Sequence, residues 1–133
     1  MRVRRSLAVD VIAILKRLIH ALGLHRISTR SCAGRIRVDV GGVQLAESER
    51  AVALEETGLP TRYYLPREDV RMDLLTPSET TSHCPFKGDA TYFHAPGARD
   101  AFWVYEAPAE PAARPVAGML APAPGRTRIT GPA

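Results

Sequence analysis

The segment from residue 34 to residue 45 has the clearest pattern of apolar and polar positions in the chain. Within 36–40, apolar side chains alternate with charged ones, so they fall on one face of an extended strand. Gly41-Gly42 follows, and glycine accepts the positive φ that a two-residue hairpin turn requires. Because residues 43–45 continue the apolar face, the pattern predicts a β-hairpin.

Short extended segments separated by turn residues make up most of the remaining chain. Residues 50–56 fit either a short helix or a strand, and we favour a strand because 58–60 then forms a turn. Glu55-Glu56 is then a solvated strand end. Further strands are predicted at 62–65, 72–75, 87–93 and 102–105, weak edge strands at 116–120 and 127–130, a helical turn at 66–70 and a polar loop at 76–82. The series indicates one domain of mainly antiparallel β architecture.

Ahead of this domain, residues 7–22 predict one amphipathic helix with a broad apolar face. The polar stripe, spaced by steps of three and four, consists of Ser6, Asp10, Ala13, Arg17 and His20. Ser6 is the expected N-cap and Gly23 the expected end. Sixteen helical residues reach about 24 Å, which is short of a hydrocarbon core of about 30 Å. Asp10 also interrupts the apolar run that a signal peptide needs.

Three interpretations of this helix stay open at the level of sequence. It packs on the body or on a second copy of the chain, or it lies in the plane of a membrane surface. In the third interpretation it is an over-long translated start with no settled structure.

The charge of the chain is unevenly distributed. Residues 1–37 carry nine Lys and Arg against one acid, a net charge of +8, whereas residues 38–133 sum to −4. A nucleic-acid-binding domain needs its basic face on the folded body, so nucleic acid is not an expected partner. The two cysteines, Cys32 and Cys84, are consistent with free thiols in a reducing compartment, and we expect a cytoplasmic protein.

The densest cluster of reactive side chains is the run HCPFKGD at 83–89. A positive charge on His83 or Lys87 would favour the reactive thiolate of Cys84. Gly88 lets backbone amides approach an anion, and Lys87 can meet a phosphate or carboxylate. Since adjacent residues of an extended chain point to opposite faces, His83 and Cys84 are not expected to form a nucleophile–base pair.

Three functional hypotheses follow from this cluster. In the leading one, the domain binds a small anionic ligand in a pocket that contains Asp69, His83, Cys84, Lys87, Gly88, Tyr92 and Trp103. In the second, Cys84 is the nucleophile of a thiol-dependent enzyme. In the third, the motif only shapes a structural or interaction module, with Cys84 a small core residue. No cofactor is identified, and the scattered histidines and absent CxxC predict no metal site.

Several motifs together resemble a known bacterial family. They are Gly42-Val43 with Ala46, the run ETGLP at 56–60, Tyr64 with PREDV at 66–70, HCPFKGDATY at 83–92, and Trp103 with Tyr105 and Pro108. This order is similar to the family called domain of unknown function 427, which also carries a nucleotidyltransferase-like label, over residues 34–120.

The resemblance implies a β-tent-like domain, in which two small antiparallel sheets meet at an angle. Related domains bind zinc through cysteine pairs or small ligands between the sheets, but this chain lacks the cysteine pairs. The resemblance implies no particular activity for this chain. We therefore predict a helical extension at 1–33, the β domain at 34–120, and a Pro/Ala-rich tail at 121–133. The prolines of 107–125 favour an extended, partly mobile chain.

Overall fold

The computed structural model describes residues 11–15, 17–19 and 21–132, and in them ten strands form three antiparallel sheets. The strands are β1 (Ile27–Ser31), β2 (Ile36–Val40), β3 (Val43–Ser48), β4 (Val52–Glu56), β5 (Arg62–Tyr64), β6 (Thr76–Cys84), β7 (Gly88–Ala95), β8 (Ala98–Val104), β9 (Ala121–Pro122) and β10 (Arg128–Thr130). The first sheet has the order β1-β4-β5, the second β10-β2-β3 and the third β6-β7-β8-β9. The predicted mainly β, antiparallel class is confirmed, with three sheets in the described chain where two were expected.

The hairpin of β2 and β3 forms as predicted. Gly41 and Gly42 have φ angles of 56° and 81° and connect the paired residues Val40 and Val43. Positive φ at both turn positions is the geometry whose twist matches the flanking strands. The strand prediction at 50–56 is confirmed by β4, which lies between β1 and β5.

Two local predictions are wrong. Thr76–Ser82, expected as a loop, belongs to strand β6, which pairs with β7 although most of its side chains are exposed. A strand with polar residues on both faces has no apolar alternation, so its pattern resembles that of a loop. Met72–Leu74, expected as part of a strand, forms a 3₁₀ helix, because so short a segment shows no decisive period.

The proline-rich segment is more ordered than its composition predicts. Pro111–Val116 forms a 3₁₀ helix that begins at a proline and buries Val116 completely. Leu120 exchanges two backbone hydrogen bonds with Leu65, at 2.8 and 2.9 Å. The expected edge strand at 116–120 is therefore wrong. The expectation of an extended, partly mobile chain is also wrong, because buried apolar side chains hold the segment on the body.

The buried apolar side chains of the three sheets form two clusters. Ile36, Val38 and Leu45 of the second sheet pack with Phe102 of the third. Residues of the first sheet and of the third form the other cluster, together with the 3₁₀ helix that contains Val116. This second cluster forms the floor of the candidate site.

Within the part of the N-terminal segment that the structure describes, 11–15, 17–19 and 21 are helical, as predicted. The helix ends at Gly23, whose φ is 72°, and the backbone N–H of Leu24 donates to the carbonyl of Ile19 at 2.9 Å. The predicted polar positions at 6, 10 and 20 lie outside the described residues. Among the described helices, none has the length and apolar character needed to cross a membrane.

Candidate ligand-binding site

A cavity of about 210 Å³ lies between the inner faces of the first and third sheets, and we call it the sheet cavity. Residues of β4 and β5 face residues of β7 and β8, because alternate positions of each strand point inward. Tyr92 and Trp103 are opposite each other in the third sheet. The lining consists of Leu54, Glu56, Leu59, Pro60, Arg62, Lys87, Tyr92, Trp103 and Tyr105.

Three buried polar side chains form a continuous chain of contacts, which we call the charged triad: His25, Glu56 and Lys87. Nζ of Lys87 lies 2.5 Å from Oε1 of Glu56, and Nε2 of His25 lies 2.9 Å from Oε2. An ionised carboxylate is only an acceptor, so both neighbours donate to it. The three residues are 8–9% exposed. The expectation that Glu56 is solvated is therefore wrong, although Glu55 is exposed as expected.

Aromatic rings pack against two members of the triad. The rings of His25 and Phe86 are stacked, with centroids 3.7 Å apart, and Nζ of Lys87 lies 5.6 Å from the ring centre of Tyr105. A charge in such surroundings is tolerated only when a counter-charge and hydrogen bonds replace its hydration. Glu56 therefore balances the ammonium group of Lys87 and fixes its position at the cavity wall.

A second cavity of about 340 Å³ lies on the other side of the triad, and we call it the helix-side cavity. It is bordered by Ile19, Leu24, His25, Glu56, Thr57, Leu59, Cys84, Phe86 and Lys87. Glu56, Leu59 and Lys87 border both cavities. The triad thus lies between the sheet cavity and the helix-side cavity and contributes polar groups to the walls of both.

The structure brings together some of the predicted site residues and separates others. Lys87, Tyr92 and Trp103 line the sheet cavity, and Cys84 and Lys87 line the helix-side cavity. Gly88 lines neither one; its φ is 95°, and a side chain there would lie 3.4 Å from the backbone nitrogen of Ala109. Its glycine is needed for the start of β7.

His83 points away from both cavities. It is exposed and pairs with Asp89 at 2.7 Å, while Cys84 is half-buried and its sulfur accepts the backbone N–H of Lys87 at 3.4 Å. This agrees with the expectation that neighbouring strand residues point to opposite faces. The thiol of Cys84 lies at the wall of the helix-side cavity, which His25 also borders.

Asp69 also lies apart from the sheet cavity, at the edge of the second sheet. Its carboxylate accepts a hydrogen bond from the hydroxyl of Ser48 at 2.7 Å and from the guanidinium of Arg50 at 2.9 Å. The hydrogen bond from Arg50, aided by that from Ser48, lowers the pKa of Asp69 below its ordinary value. The 3₁₀ helix Arg67–Asp69, close to the helical turn predicted there, positions the carboxylate for this structural role.

The substitution Asp69→Asn is expected to cost about 1–2 kcal/mol of unfolding free energy at neutral pH, because it removes a charged acceptor. A carboxyl with a lowered pKa in the folded state stabilises the protein above its unfolded pKa, and this contribution is lost as pH falls through the folded pKa. Urea titrations should therefore show the full difference at neutral pH and a shrinking one below about pH 4. Glu68→Gln, an exposed neighbour, is the control; a difference independent of pH would contradict the role.

Trp103 is held by a buried residue beneath the cavity. Its indole N–H donates to the hydroxyl of Tyr64 at 3.0 Å, and the two rings meet edge to face at 6.2 Å. Burial raises the pKa of Tyr64 to about 12 and also raises that of Tyr105. The phenols of Tyr64 and Tyr105 are thus neutral at physiological pH.

Among the acidic and basic side chains of the site, the sequence analysis missed three: His25, Glu56 and Arg62. A signal for Glu56 was present, because the predicted strand at 50–56 places it on the same face as Leu54, which is buried. Arg62 is opposite Leu54 in β5 and lies on that same face. His25 had no such signal, since it lies between the helix and β1 in an irregular segment.

Metal binding has no support in the described part of the chain. No group of three or more His, Cys, Asp or Glu residues there is arranged to hold an ion. Each oxygen of Glu56 is already engaged by a neighbouring side chain.

Comparison with protein families gives a match over most of the chain. The model of a family described as a domain of unknown function (DUF427) matches residues 28–130. The match takes in all three sheets apart from the first residue of β1, and it includes Glu56, Arg62 and Lys87. It begins after His25, so the third member of the triad comes from the segment ahead of the matched region. No curated protein matches the chain.

Proposed function

The chain belongs to the DUF427 family, and we propose that it binds a small anionic ligand in the sheet cavity. One observation carries this proposal: two cations, Arg62 and Lys87, and a single carboxylate, Glu56, line a cavity with aromatic walls. The side chains at this site therefore have an excess of positive charge. An anion that enters the cavity balances this excess through charge-assisted hydrogen bonds from the two cations.

Arg62 is the side chain best placed to meet the ligand first. It is half-buried at the cavity and makes no ion pair or side-chain hydrogen bond with any described residue. A guanidinium group presents paired N–H donors that match the two oxygens of a carboxylate or phosphate. Lys87 is already engaged by Glu56, so it contributes a second, weaker contact through its remaining hydrogens.

The rest of the cavity favours a flat or apolar ligand body. Tyr92, Trp103 and Tyr105 offer rigid rings, which contribute contact area at a low cost in conformational entropy. The volume of about 210 Å³ is below the range of about 300–1,000 Å³ that drug-sized ligands occupy. The size class is therefore a single ring or short chain that carries one carboxylate or phosphate.

Trp103 is the only tryptophan of the chain, so intrinsic fluorescence reports on this cavity directly. We would titrate the full chain with benzoate, phenyl phosphate and inorganic phosphate, with benzamide as the uncharged counterpart of benzoate. We expect a saturable change in fluorescence with at least one anion and no such change with benzamide. In Arg62→Gln the affinity for that anion should fall by about tenfold or more.

Arg128→Gln is the matched control, because Arg128 is exposed in β10 and lies outside the cavity. It should bind as the parent does. The proposal is overturned if no probe gives a saturable signal, if benzamide binds as tightly as benzoate, or if Arg62→Gln retains the affinity of the parent.

A further inference from the structure

Exposed apolar side chains are concentrated at one end of the molecule. Of the nine large apolar residues that the described chain exposes, Leu59 and Val43 belong to the body. The other seven are 53–64% exposed and lie at the N-terminal helix: Val11, Ile12, Ile14, Leu15, Leu18, Leu22 and Leu24. Scattered single apolar residues are normal on a surface, but a contiguous group marks a site of interaction.

The helix is anchored to the body at its C-terminal end. Ile19 and Leu24 border the helix-side cavity, and the next residue, His25, is fixed by Glu56 and stacks on Phe86. Leu59 borders the same cavity, so the exposed apolar surface continues from the helix onto the body. This arrangement presents the helix at one face of the domain.

Charge identifies the partner of this surface. Residues 1–24 carry five Lys and Arg against one acid, a net charge of +4, whereas the rest of the chain sums to zero. In a symmetric dimer the same patch meets itself, so pairing of two helices would bring two strongly basic segments together. An anionic bilayer offers the opposite charge and also accepts apolar side chains at the boundary between headgroups and acyl chains.

We propose that the N-terminal helix, together with Leu24 and Leu59, docks in the interface of an anionic membrane. The apolar side chains enter the acyl boundary, and Arg17, on the opposite polar stripe, stays with the headgroups. The helix lies in the plane of the surface and does not cross it. The rim of the helix-side cavity, formed in part by Leu24 and Leu59, then faces the lipid. This interaction is independent of the anion that the sheet cavity takes.

The test is co-sedimentation of the full chain with vesicles of phosphatidylcholine, with and without roughly a third phosphatidylglycerol. We expect the protein to pellet with the anionic vesicles only, and added salt to weaken the binding. The double variant Leu15→Glu/Leu18→Glu should lower the partition coefficient by about tenfold or more. Both leucines are more than half exposed, so the body should keep its thermal unfolding transition and the Trp103 signal.

Val43→Glu is the matched control, because Val43 is an exposed apolar residue on the hairpin of the second sheet. It should pellet as the parent does. Equal binding to neutral and anionic vesicles, or an equal loss in Val43→Glu, overturns the proposal. The proposal is also overturned if the unsubstituted protein forms dimers and does not bind vesicles, while the double variant is monomeric. The partner of the surface is then a second copy of the chain.

Discussion

The substitution Glu56→Ala is expected to lower the free energy of unfolding by about 3–5 kcal/mol. Glu56 is the only acid in the charged triad, and its two oxygens accept hydrogen bonds from Lys87 and His25. Its loss leaves the ammonium group of Lys87 in a ring-lined space without a counter-charge. Urea unfolding monitored by circular dichroism measures the change directly.

The neighbouring residue provides a stringent control for this prediction. Glu55 pairs with Arg30 at 3.3 Å, and both side chains are about half exposed, so Glu55→Ala should cost at most about 1 kcal/mol. Replacing both partners of the buried pair, as in Glu56→Leu/Lys87→Met, should recover much of the loss because no unpaired charge remains. Similar costs for Glu55→Ala and Glu56→Ala would show that the triad is not the buried ion pair described above.

A second large effect is expected at Tyr64, which is completely buried under the sheet cavity. Tyr64→Ala should cost about 3–5 kcal/mol, since it leaves a cavity in the cluster between the first and third sheets. It also removes the acceptor of the Trp103 indole N–H, so the tryptophan emission should shift. Tyr63→Ala, one residue earlier and only partly buried, should cost less than half as much.

Tyr64→Phe isolates the contribution of the hydroxyl group. It should cost about 1 kcal/mol at neutral pH, the typical net value of one hydrogen bond. Because burial raises the pKa of Tyr64 to about 12, the folded state keeps a proton that the unfolded state releases near pH 10. Stability from this group is therefore complete below pH 10 and is lost as pH rises toward 12. The variant should lose less stability over that interval, and an equal loss would contradict the assignment.

The β architecture was predictable wherever one face of a strand is buried. The alternation of β2 and β3 and the strand at β4 followed from periodicity, because burial on one face imposes a period of two. Strand β6 was not predictable in this way, since its exposed faces carry no apolar pattern and its partner β7 determines its conformation. Likewise, the prolines of 111–116 indicated an extended chain, but the segment forms a 3₁₀ helix because Val116 is buried against the body.

Tyr92, Trp103 and Lys87 were predicted from the sequence as pocket residues, whereas the charged triad as a whole was not. Glu56 lies 31 residues from His25 and 31 residues from Lys87 along the chain. No local spacing relates residues so far apart, and only strand pairing brings them together. The pairing of Ile27 with Glu56 in the first sheet places the segment just before β1 beside that carboxylate. The period of the strand could have predicted that Glu56 faces inward, but it could not have identified His25 and Lys87 as its partners.

Strand order has a consequence for how the chain acquires its fold. β10 pairs with β2, so Arg128–Thr130 complete a sheet whose central strand lies about ninety residues earlier. A ribosome releases β2 and β3 long before β10, and until then the outer edge of β2 is an open row of backbone donors and acceptors. The nascent hairpin is thus vulnerable to association with other chains for most of its synthesis, and emergence of the last strand ends that exposure.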